Sequence, residues 1–527
     1  MEEKNGFKGL LWTESFWALG GVVLAWVVLI TQVRHHWGGE SYYNFGWFVP
    51  FMAIWLLLRN LAQLETGPAG RWRSGLYLAL TFLFLIPVIP FHALSEVNPF
   101  WRLPLWIQAL GISGFTLLML HYLYGWAGVR AGLFPVFFLT TMIPWPYRFE
   151  VWMVQSLTGV VVDLSIQGLH FLGYPVEAAG NSLVLDEIRV GVNEACSGIR
   201  SLQALFMVSL FLGSLFSQSW IRRLLVLTVL PLIVIVVNAF RAVFLSTQVI
   251  VKGNDAYDRW HDPAGYIAFG ISMVLIYAAI ELLNIGSDSG NATKPVDGGK
   301  LLNQWKAFAQ SRQAVWFVLA PAIVYLTVEA WFRVHEWQDP PKRDWEMQLP
   351  SENDSGYVYS EIAPYVQNAL GYSYGTHFSH RLNSQVVADV YYYGFTEDNK
   401  LSSVSSYGHA PTICMEASGA VLLRALPLES ITVGQIEIPV RHYLFEIPRT
   451  DSRVNVFWIV WENRNMDIEP EQLAELNYKT QLIQLMRGRR DFSRKVLLLS
   501  LSGLEEPEAA RRQAMELFSD WIIPAGD

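Results

Sequence analysis

The sequence predicts a polytopic α-helical membrane domain of about eight spans plus one linking span, followed by an α+β domain outside the membrane. Three observations carry that prediction. Only 16% of the 527 residues are charged and 52% are hydrophobic, against about 25% charged in ordinary soluble domains. Most of the charge follows Lys294, so the first half is the apolar part and the net charge of -8 reports mainly on the second. Apolar runs in that first half approach the ~20 residues that cross ~30 Å of hydrocarbon, and none recurs after position 331.

Taken in order, spans are predicted at 16–31, 44–58, 75–93, 103–123, 131–145, 202–216, 224–245, 264–283 and 315–331. The first has no small-residue cleavage site behind it and reads as an anchor, not a cleaved signal. Basic residues set the orientation. Lys4, Lys8, Arg59, Arg71, Arg73, Arg130, Arg222, Arg223, Lys294, Lys300, Lys306 and Arg312 all fall on one side if the amino terminus is cytoplasmic. Fewer fall on the other: Arg34, Arg102, Arg148, Lys252 and Arg259. The segment 147–201 is then external. Within it, 151–174 is apolar but interrupted by Gln155, Asp163, Ser165 and His170, which suits a helix on or dipping into the outer face better than a span. A span there would put Arg222 and Arg223 outside. Residues 181–192 alternate apolar and polar, as a short hairpin does.

The domains expected are a transmembrane domain at 1–285, a Gly/Ser/Lys-rich cytoplasmic linker at 286–313, a linking helix at 314–333 and an external α+β domain at 334–527. The last contains strand-like 386–395, 436–447, 454–462 and 494–502, a helix-like 467–490 and a final helix at 506–521. Two cysteines, Cys196 and Cys414, are too few for a disulfide framework. No Lys/Arg stripe suggests nucleic acid. His35 and His36 have no matching cluster, so neither a metal nor another cofactor is implied.

Chemistry concentrates on the outer side. Cys196 lies at the amino-terminal end of the sixth span, where unpaired N–H groups and the helix dipole favour a thiolate. Arg200 is one turn on, and Ser197 and Gly198 are small enough to admit a substrate backbone. Arg241 lies within an apolar span, beside Asn238, and such an arginine is costly enough to be a functional residue by default. His261 lies just before the eighth span. A nucleophile, an oxyanion-stabilising cation and a proton carrier thus come from three regions onto one leaflet.

The segments EACSGIRSL, NAFRAVFL and WHDPAGYIAF, which hold Cys196, Arg241 and His261, resemble the exosortase/archaeosortase membrane proteins in both residues and order, over roughly 16–283. The resemblance implies a membrane cysteine protease/transpeptidase with Cys196, Arg241 and His261 as its catalytic trio; the residues around them place Glu194, Ser197, Arg200 and Asn238 in support. It implies client proteins that carry a carboxy-terminal sorting signal of PEP type, namely a short motif, an apolar helix and a basic tail. It also implies a bacterial inner membrane, a periplasmic external domain and a link to exopolysaccharide machinery. Residues 301–527 resemble an exosortase-associated domain, with Tyr407–Gly419 similar to its His-x-Pro-x-x-Cys segment through His409 and Cys414; the glycine-tryptophan ending of that domain is absent.

Plainer readings stand beside these. Cys196 is a small helix-start residue or a disulfide partner of Cys414, Arg241 snorkels, and His261 is a loop histidine. Glu194 and Arg200 pair with each other, and Asp258 and Asp262 are solvated or orient His261. Two other functions stay open: a non-enzymatic scaffold or export factor for exopolysaccharide assembly, and a transporter lined by Asn238 and Arg241. The transporter calls for paired broken helices, which the sequence does not display.

Overall fold

The computed structural model describes residues 14–38, 42–64, 72–179, 182–185, 188–191, 198–284, 314–338, 343–351, 356–362, 366–367, 370–399, 410–417, 420–447, 452–469 and 478–525. The chain divides into two compact units, Met1–Val88 with Arg102–Val324, and Ile89–Trp101 with Tyr325–Asp527.

The first unit is helical: α1 (Glu14–Val33), α2 (Val49–Ala62), α3 (Ser74–Leu85), α4 (Val88–Val97, whose later part belongs to the second unit), α5 (Arg102–Leu139), α6 (Tyr147–Phe171), α7 (Ile199–Leu215), α8 (Trp220–Lys252) and α9 (Asn254–Asn284). Among the described residues, five stretches are long and apolar enough to cross a membrane: Ser74–Val97, Arg102–Met142, Tyr147–Phe171, Trp220–Lys252 and Asp255–Asn284. Val49–Ala62 and Ile199–Leu215 are shorter apolar helices.

Helix α5 is not one rod. Gly125 takes φ 61° and ψ -154°, which only glycine adopts cheaply, and the chain turns back on itself there. A Cβ on Gly132 would collide with Leu120, twelve residues away and ~18 Å off along a straight helix. At the far ends Arg102 donates to the Trp145 carbonyl (2.8 Å) and Trp106 to that of Pro144 (2.8 Å). The two spans predicted at 103–123 and 131–145 are the arms of this hairpin.

The polar groups of the helix ends sort onto two faces. On one, Arg59 donates to the Ser214 and Leu215 carbonyls, Asn60 to that of Ala131, and Gln218 to the Asn284 side chain. On the other, Trp37 donates to the Met142 carbonyl. There the buried Tyr43 hydroxyl joins four elements: it donates to Glu150 and accepts from the Trp145 amide (2.8 Å) and Gln203 (3.1 Å). Arg102 pairs with the same Glu150 at 2.8 Å. Helix α7 therefore runs from the Tyr43 face to the Arg59 face, and α8 runs back.

Residues 151–174, read as a helix on or dipping into the outer face with a span as the alternative, fall largely in one continuous 25-residue helix, α6, which is long and apolar enough to cross a membrane. Its order follows that of α8: Val154 and Leu157 share a cluster with Val226, Leu230 and Val234, whereas Val162 and Leu169 pack with Val249. It starts at the Tyr43 face through Glu150. Beyond it β1 (Glu177–Ala179), β2 (Ser182–Leu185) and β3 (Ile188–Gly191) pair antiparallel, with β2–β3 the hairpin expected from the alternation.

The second unit is β-rich. An antiparallel sheet is ordered β5 (Tyr357–Ser360), β6 (Tyr374–Arg381), β7 (Val387–Phe395), β12 (Arg494–Ser502), β11 (Ser452–Glu462), β10 (Ile436–Ile447) and β8 (Val421–Ala425), with β9 (Glu429–Val433) also on β10. Its inward face, with Phe378, Val390, Phe457, Ile459, Leu497 and Leu499, buries α13 (Pro507–Trp521) through Ala510, Ala514 and Phe518. Strands β4 (Trp345–Met347) and β13 (Ile522–Pro524) form a small side sheet. Helix α10 (Ala314–Glu336) leads into this unit, α11 (Pro411–Ala417) packs near β8, and α12 (Tyr478–Met486) is the described helix within the predicted 467–490.

Candidate functional site

Helices α8 and α9 form an antiparallel pair turned by Gly253 (φ 83°, ψ -179°). Asn238 and Arg241 are three residues apart on α8, and His261, Gly265 and Ala268 fall at i, i+4 and i+7 on α9, so each set shares one face. The two faces meet. Arg241 Nη2 lies 3.2 Å from His261 Nε2 and 3.4 Å from the His261 carbonyl. The other ring nitrogen, Nδ1, is 2.9 Å from Asp262 Oδ1. A carboxylate at Nδ1 fixes the proton there and leaves the Nε2 lone pair facing Arg241.

A cavity of about 240 Å³ opens over this pair, lined among others by Gly198, Arg200, Ser201, Asn238, Arg241 and His261. Gly198, the residue before α7, takes φ 80° and ψ 5°. A Cβ there would sit 3.2 Å from Val234 and 3.3 Å from the Asn238 side chain, so the backbone favours glycine and any side chain would crowd both neighbours. Asn238 is buried beneath it. Arg200 lies over the Tyr42 ring at 5.8 Å. On α9, Gly265 faces the guanidinium, and a Cβ there would be in ordinary contact, 3.5 Å from Arg241 Nη2.

Of the predicted residues, the structure brings Arg200, Asn238, Arg241 and His261 to one cavity. Cys196, Glu194 and Ser197 lie outside the described residues, as does His409. Cys196 precedes Gly198, at the cavity edge, by two positions in sequence. One expectation is corrected: His261 is not in a loop before a span at 264 but inside α9, which begins at Asn254 and carries Pro263 within it. The proline suggested a boundary, yet the helix starts earlier, at Asn254. Cys414 is exposed on α11. Gly265 and Ser201 were missed, although Gly265 stands one turn from His261 on the face that the i, i+4 spacing defines.

Rising ~1.5 Å per residue, α8 carries Arg241 ~31 Å from Trp220, about one hydrocarbon thickness. The site therefore lies far along α8 from the end beside Arg59. With a guanidinium, an imidazole of fixed tautomer and a helix start around one polar cavity, the arrangement suits attack on a carbonyl whose oxyanion and leaving group both need a partner.

Residues 37–278 match the family model described as transmembrane exosortase. No curated protein and no solved structure matches the chain.

Proposed function

Through residues 37–278 the chain belongs to the transmembrane exosortase family, and from that membership we propose that it is a membrane-embedded cysteine protease/transpeptidase that cleaves carboxy-terminal sorting signals of exported proteins. The observation that carries the reading is the Arg241–His261 contact of 3.2 Å beside the start of α7. In this reading the membrane has eight spans before the linking helix, the amino terminus is cytoplasmic, and the site and 334–527 face the periplasm of a bacterial inner membrane.

Cys196 is the nucleophile. Its thiol proton passes to His261 Nε2, with Asp262 holding the resulting imidazolium at Nδ1. The sulfur bonds to the scissile carbonyl carbon, and Arg241 turns from the imidazole to the developing oxyanion. The carbon–nitrogen bond then breaks, and the leaving amine, which stays on the client's apolar anchor, takes the proton from Nε2. An amine or water next attacks the thioester, gives its proton to Nε2 and releases the sulfur, which takes that proton back. Asn238 and Gly198 shape the approach, and Arg200 lines the entrance.

The test is to trap the thioester. Membranes carrying the enzyme and a fusion that ends in a PEP-type motif, an apolar helix and an Arg-rich tail are quenched in acid and digested, and peptides are read by mass. A client acyl group on the Cys196 peptide, lost on hydroxylamine treatment, is expected. Cleaved client that never yields such an adduct at any quench time rules the mechanism out.

A further inference from the structure

The linking helix α10 carries a stripe of exposed apolar residues, Ile323, Leu326, Val334 and Trp337 among them, and Trp337 just past its end is 92% exposed. Beside its last turns lies α12. Trp331 Nε1 donates to the Leu485 carbonyl at 3.0 Å, and Arg490 binds Glu329 at 2.6 Å and Glu336 at 3.1 Å. A Cβ on Gly488 would strike His335, so the chain after α12 is pressed against the same stretch of α10. These ties fix the height of α12 at the level of Trp331.

The sides of α12 differ. Thr480 and Gln484 are buried and Ile483 packs on the core of the sheet. Lys479, Leu482 and Met486 stand at i, i+3 and i+7 on the exposed side, with Leu482 47% and Met486 69% open. Two large apolar side chains and one lysine on a single stripe, tied beside the end of an apolar helix, match a helix lying at a bilayer boundary. There the lysine stem lies along the apolar surface, and an exposed indole such as Trp337 takes the same depth.

We infer that α12, with Trp337, docks the second unit onto the headgroup–acyl boundary of the lipid bilayer. This rests on the proposed crossing of the membrane by α10, and gives the domain a set height above the leaflet where a client's anchor emerges.

The test uses full-length protein with Cys196→Ser and Cys414→Ser, in nanodiscs of phosphatidylethanolamine and phosphatidylglycerol. A solvent-sensitive fluorophore is placed on Leu326→Cys, Leu482→Cys, Met486→Cys or Arg512→Cys, the last exposed on α13. Lipids brominated near the headgroup end of the acyl chains should quench labels at 482 and 486, and blue-shift them, while 512 is reached only by aqueous iodide. Quenching at 326 with 482 and 486 behaving like 512 overturns the docking. No quenching at 326 by lipids brominated at any depth overturns the crossing, and the docking with it. In the unsubstituted protein Met486 should resist oxidation by aqueous hydroxyl radicals despite its exposure; rapid oxidation in nanodiscs counts against docking without any variant.

Discussion

Arg241 and His261, twenty residues apart in sequence, stand 3.2 Å apart across the α8–α9 pair, and the second nitrogen of that imidazole is held by Asp262. The spacing makes each of the three separately testable. Arg241→Lys keeps the charge but loses the planar fork that can hold an imidazole and then an oxyanion. Client cleavage should fall about 10²–10³-fold, the loss typical of one oxyanion donor, with the protein still abundant in membranes by immunoblot. Asp262→Asn should act more weakly, because the carboxylate at Nδ1 no longer enforces the tautomer. An unaltered cleavage rate would remove Asp262 from the mechanism.

Gly265 sets the room available to the guanidinium. Gly265→Ala places its Cβ in ordinary contact, 3.5 Å from Arg241 Nη2, and should leave processing near wild type. Gly265→Leu fills the space that Arg241 occupies and should abolish processing while the thermal midpoint of the purified protein stays unchanged. Equal activity of both variants would show that Arg241 need not lie where it does.

Tyr43 joins the loop after α1, the α5 hairpin, α6 and α7 through one hydroxyl. Tyr43→Phe leaves the Trp145 amide, the Gln203 amide and a Glu150 oxygen short of a partner in a buried place, at about 1–3 kcal/mol for each buried group left unsatisfied. A lower unfolding temperature in detergent is expected, read by thiol-reactive dye or scattering. An unchanged temperature would show that the node adds nothing to stability.

In the second unit Glu462 lies buried between Arg464 and Arg494. Burial alone would raise its carboxyl, but the two guanidiniums hold it down at about 2, below its ordinary 4.5. A depressed folded value means that the stabilisation is complete above the unfolded value near 4.5 and is lost as pH falls toward 2. Hydrogen exchange in β11 and β12 of the full-length protein should accelerate across that window. Glu462→Gln should give the loosened pattern already at neutral pH, since it strands two buried cations at a cost of about 3–5 kcal/mol.

Much of this was legible in the residues because membrane helices obey a simple length rule. Arg241 stood out as an arginine in an apolar run, and the hairpin arms of α5 were separable because Gly125, Gly128 and Arg130 interrupt them. Position along the membrane normal was harder. The polar residues of α6 read as signs of a helix on the outer face, yet the buried Ser165 donates back to the Val161 carbonyl, so a long apolar helix carries such groups without exposing them. His261 was assigned to a loop because α9 extends beyond the apolar length that marks a span. In the second unit the long apolar strands were readable, whereas β6, with the sequence YGTHFSHR, has little apolar alternation. Its His377 stacks on Tyr391 of the next strand at 4.0 Å, a cross-strand pairing that no single segment announces.

The most direct measurement is the mass of the client's carboxy terminus in membranes from cells carrying the wild-type chain or Cys196→Ala. In the proposed mechanism Cys196 is the nucleophile that the Arg241–His261 pair assists, so uncut client should accumulate in the Cys196→Ala membranes. Client trimmed at the same bond, and to the same extent, with Cys196→Ala would contradict the account.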